Sequence, residues 1–155
     1  MNHLPNEVSI PPPFPSTALT SAIHEVVAHL SDVDGWLAPL PAELRYDSSD
    51  PYAVCLSIGS TSTGTVDWVF ARSLLSEGMS RTTGEGDVLV VPRRSRGQNS
   101  VSIVLRSPAG AVVLDLAASA ITVFLQWASI VVPPGTEGRH IDLDHVVAAL
   151  MAGSE

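Results

Sequence analysis

Lysine is absent from this 155-residue chain: its 8 basic side chains are all arginines, set against 16 acidic ones, for a formal net charge of -8. So little positive charge disfavours indiscriminate binding to phosphate backbones or anionic membranes. Cysteine is almost absent too, and Cys55 alone cannot close an internal disulfide. The N-terminal segment has neither the basic start nor the apolar core of a secretory signal, so a cytoplasmic protein is the expectation. Charge of either sign is scarce, at 15% of residues against 45% hydrophobic, the balance of a compact globular chain rather than a disordered one. A chain this long buries roughly two-thirds of its unfolded surface, so it can build a core without metal or disulfide staples.

Residues 1–16 hold Pro5, Pro11, Pro12, Pro13 and Pro15, which fix φ and remove backbone donors. We read this stretch as an extended arm and residues 17–155 as one domain. The run SAIHEVVAHL from Ser21 fits either a helix or a strand with Ile23, Glu25, Val27 and His29 on one face. YAVCLSIG and TVDWVFA, joined by GSTSTG, read as a hairpin, and ARSLLSEG as a two-turn helix stopped by Gly78. DVLVVPRR, NSVSIVLRS and GAVVLDLAA, separated by short turn-rich joints, read as an antiparallel meander. In ASAITVFLQWASIVV the period changes: Ser119, Thr122, Gln126 and Ser129 form one narrow polar stripe on a helix that Pro133 and Pro134 end. A last helix is expected from Asp142, with Asp142 and Asp144 capping it and Leu143, Val146, Val147, Leu150 and Met151 facing inward.

Each chemically suggestive feature has a plainer reading. The uncharged stretch from Leu116 to Val132 falls short of the roughly 20 residues needed to cross a bilayer and contains Ser, Thr and Gln. A helix buried on more than one side, in a core or at a subunit interface, fits better, with Phe124, Trp127 and Ile130 as its candidate contact residues. The Gly-x-Gly of TGEGDVLV precedes a strand, whereas a phosphate loop opens a helix. His140, Asp142, Asp144 and His145 have metal-binding chemistry, but their spacing matches no specific motif and helix capping accounts for the two Asp. Cys55, with His24 or His29 as a base, sits in an apolar strand where thiols are usually inert. No catalytic constellation, cofactor site or metal site is expected. Arg93, Arg94 and Arg96 form the densest positive cluster and Trp68 shares a strand face with Phe70, so a basic groove with a stacking platform is conceivable. A solvated loop guarding an edge strand accounts for the arginines as well, and the aromatics are more often core.

At LRYDSSDPYAV, VDWVFARSLLSEGM, TGEGDV and VPPGTEGRHIDLD the sequence resembles the SsgA-like sporulation and cell division proteins of filamentous actinobacteria, from about Ala42 to Leu150. The resemblance implies an α+β fold of two antiparallel β-sheets with connecting and C-terminal helices, similar to the whirly single-stranded nucleic-acid binders. It also implies association as a trimer and a first strand at SAIHEVVAHL. The expected activity is that of a non-enzymatic adaptor at the division septum. It would help position FtsZ, directly or through another SsgA-like protein, and influence local cell-wall remodelling. A single-stranded nucleic-acid-binding module is the alternative, which the acidic net charge disfavours. Two features depart from the family pattern: the Pro-rich arm with the DVDGWLAPL segment around Trp36, and the absence of charge from the helix at 118–132. The second leaves open a self-association or partner surface of its own.

Overall fold

A computed structural model of the chain describes residues 19–31, 37–60, 62, 64–94, 97–141, 147–148 and 150–152. Four strands, β1 (Ser21–Ser31), β2 (Leu37–Asp47), β3 (Ala53–Ser60) and β4 (Gly64–Ala71), lead into the short helix α1 (Arg72–Glu77). Then come β5 (Val88–Arg93), β6 (Ser100–Ser107), β7 (Gly110–Ala117), the helix α2 (Ala118–Val131) and a 3-10 turn at Glu137–His140. The ambiguous SAIHEVVAHL is β1, and its exposed face carries Ile23, Glu25, Val27 and His29. The β3–β4 hairpin, the β5–β6–β7 meander and the α1 connector fall where the pattern places them. Gly78 ends α1 in a right-handed conformation; a Cβ there would sit 2.2 Å from Val90 Cγ1, so glycine is needed for close packing onto β5.

The strands form one antiparallel sheet in the order β4-β3-β2-β1-β7-β6-β5, which corrects the expectation of two separate sheets. The two halves meet at a narrow seam. β1 pairs with β2 over its full length but with β7 only at His29↔Asp115, Leu30↔Leu114 and Ser31↔Val113, so the sheet curls there. One core joins both halves: Val26, Ala28, Leu44, Tyr46, Val54 and Leu56 from one side, Val90, Ile103, Leu105, Leu114 and Leu116 from the other. Alternation along each strand produces this, since side chains of period two alternate between core and solvent.

Strand β2 was not legible in the sequence because Pro39 and Pro41 lie within it, and proline cannot donate to a ladder. The register explains why they are tolerated. β2 pairs with β3 only from Ala42 to Arg45, so at both prolines β2 is locally an edge that needs no donor on that side.

The whole arm of residues 1–16, Trp36, Arg96 and the segment Asp142 to Val146 lie outside the described residues. Val147, Ala148, Leu150 and Met151 are helical, but Val147, Leu150 and Met151 are exposed. Among the described residues these three side chains therefore face outward, where inward packing is expected from the sequence.

Candidate interaction surfaces

α2 runs out of β7 without a loop, and the Ala118 N–H donates to the carbonyl of Asn99, the residue just before β6. No side chain caps the helix and no acid stands in its first turn, so packing holds it in place. Ile121, Phe124, Ala128 and Val131 are buried against the sheet. Thr122, Val123, Gln126, Trp127 and Ile130 face outward, with Trp127 51% and Ile130 63% exposed. The helix is therefore buried on one side only within the chain, and of the three predicted contact residues Phe124 is core whereas Trp127 and Ile130 are surface. Val123, Trp127 and Ile130 recur at four and three residues and so form a continuous apolar row. Sequence periodicity missed this because it marks the polar stripe and cannot tell which apolar flank lies inside.

The C-terminal end of α2 is pinned by a side chain that the sequence reading did not single out. Arg72, the first residue of α1, is 5% exposed. Its Nη1 donates to the Val132 carbonyl at 2.7 Å and adds a second, longer contact at 3.4 Å to the Ala128 carbonyl, which already accepts the Val132 N–H; the guanidinium also complements the negative end of the dipole. Its Nη2 meets Glu137 Oε2 at 2.6 Å, and its guanidinium lies 4.8 Å above the Tyr46 ring. The Tyr46 hydroxyl donates to the Pro51 carbonyl at 2.8 Å, and burial raises its pKa although Arg72 opposes the shift. Hydrogen bonding to Arg72 holds the Glu137 carboxyl below its ordinary value. The network fixes the position of α2, and through it the outward row.

The arginine cluster and the aromatic pair are not brought together. Arg93 ends β5 and Trp68 and Phe70 lie on β4, the opposite edges of the sheet. Phe70 is buried and Trp68 half-buried in the core, so they offer no stacking platform beside the arginines. Arg93 Nε donates to Ser102 Oγ at 3.1 Å, and the buried Ser102 hydroxyl donates to Asp115. Arg94 is exposed.

The face of the β1–β4 half away from the core carries polar and apolar residues in cross-strand rows. One row runs Ile23, Arg45, Cys55 and Val69; the next runs Glu25, Glu43, Ser57 and Asp67. An open groove of about 730 Å³ lies along them, bordered by Glu25, Val27, Glu43, Arg45, Ser57 and Thr65. Asp67 accepts hydrogen bonds from Ser57 Oγ at 2.7 Å and Arg45 Nη2 at 3.3 Å. Arg45 Nε lies 3.3 Å from Glu43 Oε1, close enough for attraction but off the hydrogen-bond line, and it makes no hydrogen bond. These pairs are exposed and contribute little to stability. Burial, reinforced by Asp67, raises the Cys55 thiol above its ordinary pKa, the opposite of an activated nucleophile. His24 pairs with Leu44 on the other face of the sheet, so it cannot serve Cys55.

Among the described residues no group of His, Cys, Asp and Glu is arranged to hold a metal ion, and no helix is long and apolar enough to cross a membrane. His140 ends the 3-10 turn, while Asp142, Asp144 and His145 lie outside the described residues.

Comparison with known proteins gives these surfaces their context. The family described as Streptomyces sporulation and cell division protein, SsgA, matches residues 40–137. The chain is 51% identical over 116 residues to the sporulation-specific cell division protein SsgB of Streptomyces coelicolor, covering 75% of this chain and 85% of that protein. It is 41% identical over 130 residues to SsgB of Kineococcus radiotolerans, covering 83% and 78%. A solved structure reported with the observation that mutations in SsgB correlate to longitudinal cell division during sporulation of Streptomyces coelicolor superposes with a TM-score of 0.75 and 46% identity, covering 81% of this chain and 99% of that one. The crystal structure of an SsgA-like protein from Thermobifida fusca gives a TM-score of 0.77 at 36% identity, covering 86% and 98%. The chain thus belongs to the SsgA family of sporulation and cell division proteins.

Proposed function

We propose that this protein is a non-enzymatic regulator of sporulation-associated cell division that works by binding other proteins from a homotrimeric scaffold. In this reading it is cytoplasmic and collects at the division septum. There it helps position FtsZ, directly or through another SsgA-like protein, and so influences septal cell-wall remodelling. The observation that carries the reading is the row Val123, Trp127 and Ile130, three apolar side chains exposed on a helix that the rest of the fold holds rigidly. Large apolar side chains gathered at one exposed site mark association surfaces, and aromatic anchors dominate their energetics. Several copies of one surface raise avidity for a polymerising partner without any new contact. The narrow seam between the two sheet halves is consistent with a whirly-like arrangement, and residues 17–155 act as one domain behind the 1–16 arm.

Tagged protein expressed in sporulating hyphae that lack their own copy tests this reading. The native chain is expected to mark septa and the Trp127→Ser/Ile130→Ser variant to stay diffuse. Native protein spread evenly through hyphae that septate normally would contradict the proposal.

A further inference from the structure

The two edges of the sheet are built differently. β5 is six residues long, contains Pro92, and has its outer side covered at Val90, which exchanges two hydrogen bonds with Thr83, each 2.9 Å. Its end carries Arg93 and Arg94. Proline, charge and a covering loop are the usual devices that keep an edge strand from pairing with another chain. β4 has almost none of them. It is eight residues long, has no proline, and carries one charge, Asp67. Among the described residues, from Thr65 to Phe70, nothing pairs with its outer side. Val66 and Val69 are 60% and 62% exposed, on opposite faces of the strand, with Trp68 half-buried between them.

We propose that the β4 edge is a docking site for an extended segment of a partner protein, one that adds an eighth strand to the sheet and places a Lys or Arg beside Asp67. Backbone groups of β4 would supply the affinity, and Val66, Trp68 and Val69 would cover alternate apolar side chains of the incoming strand. Charge selects the occupant. Asp67 stands on the edge strand itself, and the row behind it carries Glu43 on β2 and Glu25 on β1, with Arg45 the one cation in the two rows and already shared between Glu43 and Asp67. A second copy brings the same acidity. An antiparallel pairing of β4 with its own copy, centred anywhere from Val66 to Trp68, sets Asp67 against Thr65, Asp67 or Val69, and none of these neutralises it; like charges directly opposite oppose pairing. A basic, β-branched strand meets both requirements. This surface lies on the sheet edge rather than on the outer row of α2, so its test does not depend on that row.

The test is an NMR titration of the full-length protein with two capped hexapeptides, TVRVTV and TVEVTV. TVRVTV is expected to cause saturable shifts confined to the amides of β4 and its neighbour β3, with at least tenfold weaker binding by TVEVTV. Val69→Lys, a change at an exposed position that the fold tolerates, is expected to weaken TVRVTV binding at least fivefold. Three results would overturn the proposal: no saturable shift at millimolar peptide, equal binding of the two peptides, or a β4–β4 self-association of the native chain that Val69→Lys abolishes.

Discussion

Phe124 and Trp127 are aromatic residues less than one turn apart on one helix, and they live in different environments: the first is fully buried and the second is 51% exposed. Apolar character alone does not say what it packs against. The inner face of α2 is consumed by this chain's own sheet, with Ile121, Phe124, Ala128 and Val131 in the shared core. The outer face has the same character and no partner in the chain among the described residues. Burial within a chain stabilises its fold, whereas the outer row has value only where another molecule covers it.

Substitutions should separate the two faces by size of effect. Phe124→Ala opens a cavity beneath the helix and is expected to cost about 3–5 kcal/mol in urea unfolding; a loss under about 1 kcal/mol would mean the inner face is not core. Arg72→Met keeps the packing volume but takes the guanidinium donor from the Val132 carbonyl and from Glu137, for an expected loss of about 2 kcal/mol in the same measurement. That result would show the helix is held at its end as well as along its length. A smaller effect is expected from pH. Because Arg72 lowers the Glu137 pKa in the folded state, the pairing contributes fully above the ordinary carboxylate value of 4.5 and is lost as pH falls through the folded value. Melting temperature should therefore drop more steeply with acid in the native chain than in Glu137→Gln. The smallest effect belongs to the outer face: Trp127→Ala should change the stability of the dissociated chain by less than about 1 kcal/mol. A loss comparable to that of Phe124→Ala would erase the distinction between the faces.

Strands with plain alternation were legible: β3, β4 and the β5–β7 meander declare themselves by short apolar runs between glycine-rich joints. β1 was ambiguous because SAIHEVVAHL satisfies both periods, and the family resemblance assigned it. β2 was invisible because its prolines signal a loop unless one knows that its neighbour stops short of them. The single sheet could not be read because three residue pairs between strands far apart in sequence decide whether two sheets are one. The interaction surface was half legible: α2 and its contact residues were found, but which of them face outward depends on where the sheet lies. Arg72 carried no signal, since nothing in a lone arginine before a short helix predicts that it will cap a different helix some sixty residues later.

Sedimentation velocity of the full-length chain beside its Trp127→Ser/Ile130→Ser variant measures the role of the outer face most directly. The native protein is expected to sediment as a trimer at micromolar concentration, and the variant as a monomer with an unchanged far-UV circular dichroism spectrum. A monomeric native protein, or a variant that still assembles, would contradict that role.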